Sequence, residues 1–244
     1  MPLSKAEFAY RTLRQQILDA VLAPGEPLRH DRLRKDHGLG WTPLREALQR
    51  LEAERLVVAH PNRGFFVAGI SEDELTDLLN TRLVLEEPML LESIQRGGED
   101  WEAGIVTAFH RLSRLSNVLQ SPKLESLSDW DNRHRAFHAA LLDGARSAWQ
   151  KRLYHKVMDH LRRHQFHLTV SRVLQARDDN RDPDEVVLAR LQSSMNMLSH
   201  QRLMNAVLAR DEDQALQLLK MHVGETLGVY RASRIDTGST NNAA

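Results

Sequence analysis

The sequence predicts a mainly α-helical chain in two parts: a small three-helix head closed by a β-hairpin, and a larger bundle made of helices alone. Three observations predict it. The 244 residues exceed the roughly 100–150 of a common single domain. Apolar residues recur at helical spacing along most of the chain. Strand-like apolar runs bounded by turn residues lie between Leu56 and Val67, and strand signals stop from Ser71 onward. The expected boundaries are a head over 1–70, a body over 71–235 and a disordered tail over 236–244, which reads Asp-Thr-Gly-Ser-Thr-Asn-Asn-Ala-Ala.

In the head, Phe8, Leu13, Ile17, Leu18, Val21 and Leu22 place one helix between Ser4 and Leu22, and Pro24-Gly25 breaks it. Asp31 to His37 reads as a short second helix ended by Gly38. The third is expected to open with Thr42 as N-cap and Pro43 at its first position, and to run to about Glu54. Three short helices with a glycine-containing turn before the last form a helix-turn-helix, whose final helix enters the major groove. Leu56-Val57-Val58-Ala59 and Phe65-Phe66-Val67, on either side of His60-Pro61-Asn62-Arg63-Gly64, add a two-stranded wing. The head is therefore a winged helix-turn-helix.

The body opens on a capping box, Ser71 with Glu74 three residues later, ahead of Leu75, Leu78, Leu79, Leu83 and Leu85. Breaks near Gly97-Gly98, Ser121-Pro122, Gly144 and Asp182-Pro183, and a new start at Asp211, divide it into about six helices of an all-helical bundle. Arg82 and Glu86, four apart on the first body helix, read as a structural ion pair.

Composition narrows the function classes. Zero cysteines exclude disulfides, cysteine nucleophiles and thiolate zinc sites, so any metal is held by N and O ligands. No apolar run reaches membrane-spanning length and Met-Pro-Leu-Ser-Lys begins no secretory segment, so a cytoplasmic protein without a membrane partner is expected. Lys plus Arg equals Asp plus Glu, 33 each. Splitting after Phe66 divides that zero: 11 basic against 8 acidic residues give the head +3, and the remaining 22 against 25 give the body −3. The asymmetry fits a DNA-binding head on a regulatory body.

Tyr10, Leu13-Arg14, Ile17-Leu18, Pro24-Gly25-Glu26, Leu28, Leu33, the run Thr42-Pro43-Leu44-Arg45-Glu46-Ala47-Leu48, Leu51, Arg63-Gly64 and Val67 together resemble the winged-helix head of GntR-family bacterial transcription regulators. The resemblance spans the first 70 residues. It implies a double-stranded DNA operator as partner, read by Thr42 and Arg45 at the start of the third helix, where a guanidinium reaches guanine O6 and N7. Arg50, five residues on, is placed at a phosphate or the surface. Asn62, Arg63 and Gly64 at the wing tip suit a narrow minor groove, where glycine allows close backbone approach. Trp41, where the family commonly has Arg, and Asp31, at a frequently basic position, depart from the pattern, so the operator sequence does not carry over.

Six of the twelve histidines, His134, His138, His155, His160, His164 and His167, fall within one short stretch. His134 and His138 stand four apart on one helical face, the spacing two ligands of one metal require. His200 and His222 follow on two later helices. From about Glu74 to His222 the chain resembles the FCD domain, the all-helical effector domain of the FadR subgroup of GntR regulators. That resemblance implies a divalent metal held by His138, His200 and His222, with His134 where the family usually has Asp. A four-histidine set favours zinc or nickel over harder ions, with manganese as a further alternative. Alternatively His134 touches the effector, with Asp131 behind it.

Arg96-Gly97-Gly98-Glu99-Asp100-Trp101-Glu102-Ala103, Trp130-Asp131, Arg133-His134 and Phe137-His138 resemble the glutarate and carbon-starvation regulator branch, which implies a dicarboxylate or 2-hydroxy-dicarboxylate effector. A carboxylate calls for a guanidinium clamp. Arg162 or Arg163 is the candidate, with His164 and Gln165 lining the same pocket. The reading is a homodimeric regulator, a repressor of a palindromic operator, that responds to a small carboxylic acid and is not an enzyme. The alternative is a metal-dependent enzyme acting on small acids, but no Glu stands in a His-Glu-x-x-His segment to serve as base. A third reading makes the metal purely structural and the body a dimerisation module.

Overall fold

Helix α1 (Lys5–Leu18) starts at Ser4, whose hydroxyl accepts from the Glu7 amide at 3.1 Å, and buries Ala9, Leu13, Ile17 and Leu18. Helix α2 (His30–His37) stops at Gly38, which takes the left-handed conformation (φ 66°) that costs glycine no Cβ clash. Helix α3 (Trp41–Ala53) buries Leu44, Ala47, Leu48 and Leu51, a 3-4 spacing that turns one face onto α1. The computed structural model describes residues 3–115, 117–120 and 122–235; the tail expected over 236–244 lies outside the described residues.

The start of α3 corrects the sequence reading. Thr42 lies inside the helix, and the cap is Gly40, which offers no side-chain acceptor. Pro43 is therefore the third helical residue, tolerated there because the first four amides of a helix have no intrahelical partner. Strands β1 (Val57–His60) and β2 (Gly64–Val67) pair antiparallel with His60 opposite Gly64. Positive φ at Asn62 (60°) and Gly64 (84°) turns the tip. The Leu28 amide donates to Phe65 at 2.8 Å and the Val67 amide to Glu26 at 2.9 Å, so the segment before α2 pins the wing to the head.

The remaining helices are α4 (Glu72–Arg96), α5 (Glu99–Ser113), α6 (Leu124–Leu141), α7 (Ala148–Gln165), α8 (Ser171–Asp178), α9 (Glu185–Ser194), α10 (Met197–Leu208) and α11 (Glu212–Ile235). The expected six are thus eight among the described residues. A π-helical turn over Phe166–Val170 divides α7 from α8. Met195 closes α9, and Asn196, whose side chain accepts from the Leu198 amide, caps α10. Buried residues of the bundle include Leu75, Leu79, Met89 and Leu90 of α4, Ile105 and Leu112 of α5, Phe137 of α6, Leu203 and Val207 of α10, and Leu219 and Val223 of α11.

The chain divides into two compact units, one comprising the residues up to Ser71 with Arg162–His167, the other Glu72–Leu161 with the residues from Leu168 onward. Among the described residues no helix is long and apolar enough to cross a membrane.

At Gly144 a Cβ atom would meet the Ser93 Cα at 2.8 Å, a backbone contact that cannot rotate away. Gly144→Ala is expected to cost about 1–3 kcal/mol, as overpacking does, and to lower the urea midpoint; an unchanged midpoint would contradict this packing.

Candidate functional site: an exposed recognition helix and a four-histidine cluster

Packing of the apolar face of α3 fixes what its opposite face offers. With Leu44, Ala47, Leu48 and Leu51 inward, Trp41, Thr42 and Arg45 are exposed. Arg45 makes no hydrogen bond or ion pair among the described residues, so its guanidinium is available to a base or phosphate. Trp41 is 44% exposed and meets the edge of the His30 ring, centroids 4.8 Å apart. Asn62, Arg63 and Gly64 are exposed at the wing tip.

Arg50 behaves differently. Its Nη1 donates to Glu7 at 2.9 Å, and its guanidinium lies 3.8 Å from the centre of the Tyr10 ring. Tyr10 donates in turn to Glu54, which also accepts from Arg14 at 2.9 Å. The bond to Glu7 holds Arg50 above the usual guanidinium value. Arg50 is a strut between α1 and α3, and offering it to a phosphate would require releasing that pair.

In the body, four histidines converge. His134 and His138 project from one face of α6, His200 from α10 and His222 from α11, and one ring nitrogen of each lies within 4.8 Å of the others. His134, His138 and His200 are buried and His222 is half-buried. Trp130, one turn before His134, stacks on its ring at 4.7 Å, and His138 stacks on His222 at 4.8 Å. The Nδ1 of His200 donates to the Asn196 carbonyl at 2.7 Å, so the Nε2 lone pair is free. That buried Nε2 has no hydrogen-bond partner among the described residues. The Nε2 atoms of His134 and His138 are 3.0 Å apart, close enough for one to donate to the other in the metal-free protein or for both to turn their lone pairs onto a shared ion.

Burial pushes His134, His138 and His222 well below the usual histidine range, with neighbouring imidazoles and then Arg82 adding to the effect. His200 is lowered by burial against the raising effect of its bond to Asn196. The rings are therefore neutral, the form that ligates metal. Four convergent neutral imidazoles, one oriented through a backbone carbonyl and ending in an orphaned Nε2, fit a divalent ion. An orphaned buried acceptor costs about 1–3 kcal/mol, a cost that a bound ion would offset if it contributed even part of the roughly 10–16 kcal/mol of structural zinc sites.

A family model for bacterial regulatory proteins of the gntR family matches residues 5–67, and one for the FCD domain matches residues 77–225, more than half of the chain. The chain belongs to the GntR family and carries an FCD domain. This GntR–FCD protein is 35% identical over 219 residues to the HTH-type transcriptional repressor GlaR of Escherichia coli (strain K12), covering 88% of this chain and 90% of that one. It is 31% identical over 231 residues to the HTH-type transcriptional regulator BphR of Paraburkholderia xenovorans (strain LB400), covering 93% and 86%. Among solved structures, that titled "E. coli McbR/YncC" shares the fold with a TM-score of 0.70 at 19% identity, covering 94% of this chain and 99% of that one. The protein is a DNA-binding transcription regulator, and its family consists of regulators, not enzymes.

Arg162, Arg163, His164 and Gln165 of this GntR–FCD chain belong to the N-terminal unit, whereas the four histidines belong to the other. Arg162 donates from Nη2 to Asp19 at 2.5 Å and lies over the Phe166 ring; Arg163 donates to the Ala68 carbonyl at 2.8 Å. Both guanidinium groups are thus bonded within that unit. The group that sequence reasoning undervalued is Arg82. It is 4% exposed, its Nε donates to the buried Glu86 at 2.9 Å, and its charge acts on all four histidine rings. Its buried Nη2 has no hydrogen-bond partner among the described residues. The signal was present in the sequence: Arg82 and Glu86 continue the buried face of Leu75, Leu79, Met89 and Leu90, and charges at core positions of a helix mark function or error.

The depressed histidines give a pH prediction for the metal-free protein. Below about 6.5 the unfolded chain takes up protons that the folded cluster refuses, so stability is complete above that value and falls as pH drops towards the lowered folded values. The slope is up to about 1.4 kcal/mol per pH unit for each histidine. Urea denaturation of the chelator-treated protein between about pH 7.5 and 5 should show this loss, and a flat profile would contradict neutral burial.

Proposed function

We propose that this regulator is a homodimeric repressor of a palindromic operator, released from DNA by a small carboxylic acid, in particular a dicarboxylate, bound beside a divalent ion held by His134, His138, His200 and His222. The observation that carries the reading is four neutral histidines converging in the bundle with an unpartnered guanidinium nitrogen, Arg82 Nη2, buried within electrostatic reach. Repression also draws on the name of GlaR, which aligns over most of both chains. Zinc is the first choice of ion for an all-imidazole set, with nickel and manganese as alternatives.

The ion supplies a Lewis-acidic centre for a carboxylate oxygen. The chain's own residues do the rest: His200 is held in its ligating tautomer by Asn196, Trp130 shields the His134 ring, and Arg82 offers a charged donor to the acid. This reassigns the effector clamp from Arg162 and Arg163, with His164 and Gln165, to Arg82, because the first two are already bonded to Asp19 and Ala68. On DNA, Thr42 and Arg45 read the major groove while Asn62, Arg63 and Gly64 reach the minor groove; Arg50 supports α3 through Glu7. A +3 head binds phosphate weakly alone, so two heads on one operator supply the affinity. The acid acts by favouring one of two head arrangements over the other.

Operator sites selected from genomic DNA, followed by fluorescence anisotropy in a panel of C3–C6 dicarboxylates, test this. Operator binding should fall steeply with salt and be weakened by at least one acid of the panel. Arg45→Ala should weaken it by about 1–3 kcal/mol and relax the preference at one base pair. Binding indifferent to every acid tested would contradict the effector assignment, and an Arg45→Ala variant with intact affinity and preference would contradict the recognition assignment.

A further inference from the structure

The first residue of α3 stands outside the core that its neighbours in sequence build. Trp41, Leu44 and Leu48 follow one another at i, i+3 and i+7, the spacing of a buried stripe. Leu44 and Leu48 are fully buried, whereas Trp41 remains 44% exposed and takes no part in the hydrophobic cluster of the head. Its ring partner among the described residues is the imidazole of His30, the first residue of α2, with centroids 4.8 Å apart and planes at 86°. That edge-to-face contact steadies the indole without burying it. On the outward side of the helix Trp41, Arg45 and Gln49 are exposed at i, i+4 and i+8, so the indole heads a ridge that it shares with Arg45.

We infer that Trp41 reads a base: its indole packs against the C5 methyl group of a thymine in the major groove of the operator, beside the base pair that Arg45 contacts. The inference rests on the reading of α3 as the helix that enters that groove. Chemistry selects the base. An indole offers broad apolar faces and one N–H donor, with no acceptor and no charge, and the thymine methyl is the apolar group that base edges present in the major groove. Place selects DNA as the partner, because the N-terminal residues of a recognition helix are the ones that meet base edges and Trp41 is continuous on the surface with Thr42 and Arg45. Spacing limits where the thymine lies: four residues advance a helix by about 6 Å, less than two base-pair steps of about 3.4 Å, so it falls within about two base pairs of the pair read by Arg45. With two side-chain torsions and His30 against it, the indole loses little freedom on binding.

The test is an anisotropy titration of the full-length protein on an operator duplex selected from genomic DNA, with each thymine replaced in turn by deoxyuridine, which lacks only the C5 methyl. One thymine in each half-site, within about two base pairs of the pair whose preference Arg45→Ala relaxes, should lose about fourfold in affinity when replaced. That is the worth of one buried methyl-sized group, about 0.8 kcal/mol at 1.4 kcal/mol per tenfold. Trp41→Ala should weaken binding to the unmodified duplex and bind the thymine and deoxyuridine duplexes alike, the signature of a lost pairwise contact. Trp41→Phe, which keeps an aromatic face, should restore the difference. A wild type indifferent to every deoxyuridine replacement would overturn the inference, and so would a penalty that persists undiminished in both Trp41 variants. If Arg45→Ala also leaves affinity and preference intact, the reading of α3 itself fails; dependence on Arg45 without dependence on Trp41 removes the methyl contact alone.

Discussion

Four imidazoles share a small buried space, and the neutrality of those rings is the constraint on which the rest of the site depends. Were they in water, each would titrate near pH 6.5 and the group would carry variable charge. Removal from solvent depresses them well below that value, and neutral rings at van der Waals distance do not repel. The same neutrality leaves ring nitrogens facing one another, those of His134 and His138 3.0 Å apart and the Nε2 of His200 unsatisfied. A core selected for stability alone would place apolar side chains here, as α4 does with Leu75, Leu79 and Leu90. The histidines persist at a cost of a few kcal/mol, which the proposed ion at the centre would more than offset.

The head illustrates how a core dictates an interface. The inward residues of α3 leave Thr42 and Arg45 on the outward face, and the bonds from Leu28 and Val67 fix the wing relative to that helix. The Tyr10–Glu54–Arg14 and Arg50–Glu7 contacts tie α1 to α3 on the flank of the recognition surface. With Thr42 and Arg45 proposed as the readers of DNA, a packed scaffold would bring α3 to the operator already ordered, with little binding energy lost to organising it.

Much of this was legible in the sequence, and the misses have physical causes. The hairpin around Asn62-Arg63-Gly64, the α2 stop at Gly38 and the four histidines were readable because turn chemistry and helical spacing are local signals. Thr42 was read as a cap because Thr-Pro is a strong start signal, yet a bare Gly40 starts the helix two residues earlier, where packing of Leu44 and Leu48 outweighs capping chemistry. Asn196 is also a local capping signal, but it sits between two segments of similar helical period and was absorbed into one helix. Arg82 was identified as a partner of Glu86, though not as a neighbour of the cluster, since the meeting of α4 with histidines from α6, α10 and α11 is long-range. The bonds of Arg162 to Asp19 and of Arg163 to Ala68 were illegible for the same reason: they join residues far apart in the chain, which helical spacing does not reveal.

Metal content is the most direct measure of the account. Elemental analysis by mass spectrometry of the protein purified without chelators or metal-affinity resin should find about one divalent ion per wild-type chain and essentially none in folded His138→Ala and His200→Ala variants. A metal-free wild type that stays metal-free after incubation with zinc and acid, or variants that keep a full complement of ion, would contradict the assignment of the four histidines as the centre of this regulator.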